Sequence, residues 1–502
     1  MKPALGTLVL VLILAACRAE AAPPTLPAPL PTPTMLRVAV PATQMPAQPD
    51  EPTPAPCPAE TGPALRYDLN AIIDMKMYTV RATEVVHFRN ETGGALDEIV
   101  LEVDPNRQPG VFSLVSLSLA DDGEELAYEL TGPRLTVTLP EALGGNCTTS
   151  IQMDFVLAPL PIPTVGFQGS ASHLGFDQRQ FNLGHWFPTV AAYQGDEGWL
   201  LHEAYGTGEH YALPAADFNV ELTVESTGSP MVVGPGTVEE VDDDTWRFSQ
   251  AGSRDMAFSI SEMFDRVSAR TESGVRVEVY YFTDAEENRE AALHSLDVAV
   301  AAMARYEMLF GPSPFDRVAV VTSDFPDGME FSGLVFVGEE YFRYYNGSPA
   351  GWLTLITAHE LAHQWWYALV GNDQAIAPWL DEALATYCEH LFLEATYPDL
   401  ASWWWDFRVN AYEPQGDIGR PIYEYSSRRE YINVNYLRGV MMLRDLRSAI
   451  GDESFIGWLR AYASAYGGEL AQPEDFWSIM PAGIDAEAVD RVRESYGLGE
   501  KD

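Results

Sequence analysis

His359-Glu360-Leu361-Ala362-His363 places two imidazoles four residues apart inside a continuous helical pattern. Residues at that spacing share one helix face, so both rings can reach a single Zn2+ at ~2.0–2.1 Å. Glu360 stands one position round the helix, where a carboxylate meets a water on the metal rather than the metal itself, the place of a general base. The bland alternative is an exposed helix with two solvated histidines. Glu382 argues against it, lying 19 residues after His363 on a second helical segment that opens after Pro378. A catalytic zinc keeps three protein ligands and one open position, and His359, His363 and Glu382 supply that set. One zinc ion per chain is expected.

The surrounding residues carry a resemblance. HELAHQWWYALVG from His359 and WLDEALATY from Trp379 resemble the gluzincin aminopeptidases of the aminopeptidase N family, whose pattern is HELAHQWFG followed by WLNEGFA. Asp381 stands where the family has Asn and Ala383 where it has Gly; neither change removes a ligand. Upstream, Gly311-Pro312-Ser313-Pro314-Phe315 resembles the family's GxYPY. Gly328-Met329-Glu330-Phe331 resembles its GAMEN motif, with Phe331 in place of Asn. The resemblance implies that Glu330 binds the substrate's free α-amine and that the backbone of Gly328 and Met329 lies alongside the peptide. Tyr436-Leu437-Arg438-Gly439 resembles YEKG, which implies a hydrogen bond from Tyr436 to the tetrahedral intermediate. A phenol of pKa about 10 stays protonated at neutral pH and can serve as that donor. The family usually carries a second acid in a QxE pattern about ten residues before a Phe-Pro. Counting back from Phe187-Pro188 gives only Asp177-Gln178-Arg179-Gln180, so that anchor is missing or shifted.

These residues need a scaffold. Ile99, Leu101 and Val103 alternate with Glu98, Val100 and Glu102; Leu135, Val137 and Leu139 alternate with threonines; Phe218, Val220, Leu222 and Val224 alternate with Asn219, Glu221, Thr223 and Glu225. Period-two alternation predicts antiparallel strands with one wet face. After a strand over 275–282 the period changes. Asp284 is a candidate helix cap with Glu287 three residues on, Leu293, Leu296, Val300 and Met303 form a predicted apolar stripe, and Gly311 stops the helix. Val440, Leu443, Leu446 and Ile450, ended by Gly451, mark another helix. The fold class is α+β, an all-β domain over 65–268 followed by a mostly helical catalytic domain over 269–502. The resemblance implies a saddle-like antiparallel first domain and a thermolysin-like second one. The chain ends soon after the latter, so the family's long C-terminal helical domain is expected to be absent.

Ahead of residue 65 the composition differs. Lys2 precedes an apolar run from Leu5 to Ala16, too short for the ~20 residues of a spanning helix, which reads as a signal-peptide core. Leu14-Ala15-Ala16-Cys17 resembles the bacterial lipobox, which implies cleavage before Cys17 and its lipidation. Of 36 prolines, 14 lie between Pro23 and Pro63, so 18–64 is an extended tether. The expected location is outside the cytoplasm, on the bacterial cell membrane, held by the lipid alone.

The whole chain has 502 residues, 47% hydrophobic and 11% aromatic, which excludes a mostly disordered protein. Thirty basic residues against 73 acidic ones give −43, which repels phosphate backbones and sets nucleic acid aside as a partner. Four cysteines form no CxxC pair. Cys388 is expected to be a buried thiol, Cys57 and Cys147 have no spacing that supports a bridge, and the remaining histidines read as isolated. Peptides are the expected substrates and release of amino-terminal residues the expected reaction. A thermolysin-like endopeptidase would carry an Asp four residues after the ligand Glu, where this chain has Thr386. An inactive peptide-binding lipoprotein is the third reading, and bound zinc without turnover would support it.

Overall fold

The computed structural model describes residues 56–58, 62–163, 173–325 and 327–499. Cys17 and the proline-rich stretch up to residue 55 lie outside the described residues. Where alternation is strongest the strand is clearest: Phe218, Val220, Leu222 and Val224 all point inward from Ala216–Glu225. That strand sits within a seven-stranded sheet ordered Thr237–Glu240, Thr245–Ser253, Ala216–Glu225, Leu65–Asp74, Thr79–Arg89, Thr148–Leu157, Phe112–Leu119. The sheet is antiparallel except at its centre, where Leu65–Asp74 runs parallel to Ala216–Glu225 with Tyr67 opposite Phe218. A parallel pair needs a long crossover, and the four-stranded sheet Thr189–Val190, Leu96–Glu102, Arg134–Leu143, Tyr128–Thr131 lies within it. Leu96–Glu102 departs from the one-wet-face pattern. Val100 and Glu102 are buried as well as Ile99 and Leu101, because this strand is covered on both sides.

Cys57 and Cys147 form a disulfide, with Cα atoms 4.9 Å apart. Their separation of 90 residues carries no local signal. They meet because the Cys57 amide donates to the Gly145 carbonyl at 2.9 Å, which lays residue 57 beside the 144–147 turn. Cys388 is the buried free thiol, and burial raises its pKa.

A second sheet carries the chemistry's edge. Its order is Phe264–Arg270, Arg276–Phe282, Arg317–Ser323, Leu334–Gly338, Gly328–Met329. The last member is a two-residue antiparallel edge pairing Gly328 with Val337 and Met329 with Phe336. The helix Glu287–Phe310 packs on this sheet and ends at Gly311, φ 115°. Asp284 does not cap it; Asp284 instead receives the Arg179 guanidinium at 2.7 Å. Of the expected stripe, Leu296 and Met303 are buried and Val300 packs half-buried against the core, but the buried face extends away from Leu293. Leu293 is 39% exposed, while Ala291, Ala292, Ser295, Val298, Ala299, Ala302 and Tyr306 are buried. Small residues on that face allow close approach of the helix Trp352–Ala362, which is buried from Leu353 onward. The Tyr306 hydroxyl lies 3.0 Å from the Ala358 carbonyl and 3.1 Å from that of Cys388. It therefore ties Trp352–Ala362 to Trp379–Thr396, the two helices that carry the histidines and Glu382. Arg254 pins the β region to this core by donating to the carbonyls of Tyr367 (2.5 Å), Leu213 (2.8 Å), Leu369 (3.1 Å) and Glu469 (2.7 Å).

Candidate active site

His359 and His363 sit on the last turn and C-cap of Trp352–Ala362, and Glu382 sits in the first turn of Trp379–Thr396, whose entry is set by Pro378. Three donor atoms converge: His359 Nε2 to His363 Nε2 is 3.2 Å, His359 Nε2 to Glu382 Oε2 is 3.3 Å, and His363 Nε2 to Glu382 Oε2 is 3.7 Å. Neighbouring ligands on a tetrahedral zinc stand roughly 3.3 Å apart. The other ring nitrogens are already engaged, His359 Nδ1 with Glu389 Oε1 at 3.1 Å and His363 Nδ1 with the Trp366 carbonyl at 2.9 Å. Fixing Nδ1 leaves Nε2 as the lone-pair nitrogen facing the gap. Glu382 Oε2 and Glu360 Oε2 are buried with no hydrogen-bond partner, a costly state for carboxylates unless a cation faces them. Burial pushes the Glu382 and Glu360 carboxyls well up, and neighbouring acids push them further. The donor set therefore fits a divalent cation, and its two nitrogens and one carboxylate suit zinc.

Glu389 is a residue that motif reading leaves out. It lies seven positions, two helical turns, beyond Glu382 and so faces the same side. Arg408 Nε donates to its Oε2 at 3.1 Å, Arg408 Nη2 to its Oε1 at 3.1 Å, and Trp404 Nε1 to its Oε2 at 2.9 Å. Burial alone would raise the Glu389 carboxyl, but Arg408 and His359 outweigh it and hold it below the usual range. Thr386, the thermolysin-like position, only donates to the Glu382 carbonyl at 2.6 Å.

Glu360 and Glu330 stand on either side of the gap. Carboxylate oxygens of both lie with a His363 nitrogen within 4.8 Å of one another. Gly328, on the edge strand, leaves room for this, because a Cβ built on it would run into the Glu360 carboxylate. Met329 is buried beside it. The Tyr436 hydroxyl donates to Glu382 Oε1. Its pKa is pushed well above 10 by burial and by Glu382, so the phenol keeps its proton. Tyr436 lies on a π-helical turn, Ile432–Arg438, leading into Gly439–Ile450. Gly439 meets Ala383, and a Cβ on it would collide with the Ala383 methyl. That contact lets the Tyr436 turn approach Glu382.

His359, His363, Glu382, Glu360, Glu330, Gly328, Arg408 and Tyr436 line one cavity of about 640 Å³, together with Glu209, Tyr341, Trp352, Phe407 and Arg428. Glu209 is an acid of this cavity that counting back from Phe187-Pro188 does not reach. After burial it is the leading cause that raises Glu330. The 177–180 segment does other work: Gln180 Nε2 bonds Ser259 Oγ (3.0 Å) and the Thr322 carbonyl (2.9 Å), and Arg179 pairs with Asp324. A local signal for Glu209 exists only in Gly206, Gly208 and Thr207, which mark an irregular segment rather than a strand. Nor are the remaining histidines isolated. His210 Nε2 lies 3.6 Å from Glu102 and 3.5 Å from Asp104, and the His185 and His210 ring centroids lie 3.9 and 4.3 Å from that of Tyr211.

The profile of the peptidase family M1 domain matches residues 294–496, the stretch that holds both histidines, Glu382, Glu330 and Tyr436. Endoplasmic reticulum aminopeptidase 1 of Mus musculus is 31% identical over 241 residues, 45% of this chain and 25% of that protein. Aminopeptidase M1 of Arabidopsis thaliana is 28% identical over 248 residues, 47% and 28% of the two chains. The match thus spans about a quarter of each relative's length. An M1 zinc metallopeptidase from Deinococcus radiodurans superposes with a TM-score of 0.62 at 18% identity, over 88% of this chain and 96% of that one. This likeness is one of fold, and it extends beyond the 294–496 stretch into the β region. A mutant of that enzyme has been crystallised with a Tyr-Ser-Ala substrate.

Proposed function

We propose that this chain is a zinc-dependent aminopeptidase, exported and held to a bacterial cell membrane by a lipid on Cys17. One observation carries the exopeptidase reading: oxygens of Glu330 and Glu360 and a nitrogen of His363 lie within 4.8 Å of one another. A residue spans at most ~3.3–3.6 Å of extended chain. An ammonium held by Glu330 therefore leaves space for a single residue before the scissile carbonyl. Glu209, in the same cavity, adds a second negative charge to the closed end. Two desolvated acids facing one place call for a cation there, and the α-ammonium of a peptide is that cation.

His359, His363 and Glu382 would hold the zinc, which when bound polarises the scissile carbonyl and acidifies a water. Glu360 takes the proton of the attacking water and passes it to the leaving amine. Its buried, acid-crowded surroundings raise its affinity for that proton. Tyr436 donates its hydroxyl hydrogen to the oxyanion as the carbonyl becomes tetrahedral. The edge strand Gly328–Met329 offers unpaired backbone groups along which an extended peptide can lie.

The Cys57–Cys147 disulfide supports export, because such bonds persist in oxidising compartments. Changing Cys17 to Ser should move the protein out of the membrane fraction with activity on a small substrate kept. Equal membrane retention of both proteins would remove the lipid anchor from this reading. For the amine site, Glu330→Gln keeps the shape and removes the charge. The expected loss in kcat/KM on free-amino substrates is roughly 30- to 1000-fold. An N-acetylated analogue should gain relative to the free amine in the variant; an unchanged ratio would exclude Glu330 as the anchor.

A further inference from the structure

Gln374 lies on the loop between the two metal-site helices, and its contacts reach three separate parts of the amine site. Its side-chain Nε2 donates to Glu330 Oε1 at 3.2 Å and to Asp381 Oδ2 at 2.9 Å. Its backbone amide donates to the Tyr211 carbonyl at 3.0 Å, two residues past Glu209. All three side chains are at least 96% buried. Two carboxylates this close and this dry repel each other unless a donor sits between them. An amide nitrogen has two hydrogens, one for each acid, and the opposite amide orientation would set its oxygen against both. Asp381 is one of the two departures from the family pattern noted above: an Asn there would bring its own amide, whereas Asp brings only acceptors. The donor that position 381 lacks is supplied from Gln374.

We propose that Gln374 is a positioning residue for amine recognition. By occupying Glu330 Oε1 it fixes that carboxylate's rotamer and leaves Oε2 for the substrate ammonium. Through its main chain it holds the 209–211 segment, and through Asp381, the neighbour of Glu382, it ties both acids to the metal site. This inference rests on the aminopeptidase reading. It adds a residue that touches neither substrate nor metal and acts through Glu330.

The test is a double-mutant cycle on the full chain loaded with zinc, with Gln374→Met, Glu330→Gln and the pair together. Met keeps the length and removes both donors. With an aminoacyl anilide as substrate, Gln374→Met should raise KM about tenfold with kcat changed less than about threefold, and zinc content should stay the same. In the Glu330→Gln background the same change should cost less than about twofold, because the group it positions has lost its charge. Gln374→Asn, which retains an amide at shorter reach, provides a second variant should Met fail to fold; it should raise KM in the same direction and by less. Effects that multiply across the cycle, or a loss confined to kcat, would overturn the proposal. The wild type separates this from the underlying reading. If it cleaves free and N-acetylated substrates alike, aminopeptidase recognition fails and this inference with it. If it discriminates between them while KM is indifferent to residue 374, this inference alone fails.

Discussion

Two buried triads of this chain have almost the same shape and opposite electrostatics. In the helical region, His359, His363 and Glu382 present donor atoms 3.2 to 3.7 Å apart. In the β region, Glu102, Asp104 and His210 place the imidazole 3.5 and 3.6 Å from the two carboxylates. Judged by distance, both can hold a cation. The second triad, however, contains its own: Arg107 Nε donates to Asp104 Oδ1 at 2.9 Å, and Arg107 Nη2 donates to Glu102. His210 adds a second positive charge, since Asp104 and Glu102 outweigh burial and lift its pKa to about 9. Two acids and two bases close that cluster on themselves. At the first triad Arg408 is spent on Glu389 behind His359, and among the described residues Glu382 Oε2 has no hydrogen-bond partner. Convergent donors make a metal site only where the protein withholds the countercharge.

The largest effect should come from the first triad's neighbour. Glu360→Gln should lower the rate by ~10²–10⁴ or more while zinc content stays near one per chain. Loss of the metal in that variant would make Glu360 a ligand and break the assignment. His363→Ala or Glu382→Ala should empty the site, whereas His210→Ala should leave zinc content unchanged. Zinc that disappears with His210 would make the two triads alike. Tyr436→Phe should cost ~10²–10³ in kcat with little change in KM; a defect in KM alone would make Tyr436 a wall of the cavity. Glu389→Gln should weaken zinc binding by 10- to 100-fold, read by competition with a chelator. The smallest effect belongs to the closed triad. The His210 pKa in the folded chain lies above its unfolded value of ~6.5, so its contribution to stability is complete below that pH and is lost as pH rises through about 9. His210→Asn should flatten the dependence of the urea midpoint on pH across that window, and an unchanged slope would exclude His210 as the titrating group.

What was legible in the sequence follows from how local each signal is. His359, His363 and Glu360 are related by one helical turn, and Glu382 by a fixed spacing from it, so period and motif suffice to bring them together. The strands around Phe218 and Leu135 were legible for the same reason. Glu209 and Gln374 were not, because each becomes meaningful only when the irregular 200–213 segment is laid against the 294–496 stretch, and the His210 cluster only when that segment is laid against Glu102, Asp104 and Arg107 in the β region. The Cys57–Cys147 bridge and the parallel pairing at the centre of the large sheet likewise join residues far apart in sequence. The helix Glu287–Phe310 is legible in part: Leu296 and Met303 are buried as the stripe predicts, but counting large apolar residues also favours Leu293, which is exposed, and misses the alanines along which two helices approach closely.

The account stands or falls on which end of a peptide the site reads. A synthetic peptide with a free amino terminus and its N-acetylated twin, each incubated with the zinc-loaded protein and followed by mass spectrometry, give that answer directly. The expected result is a ladder of products shortened one residue at a time from the amino end, with the acetylated twin left intact. Internal cleavage of both peptides would contradict it.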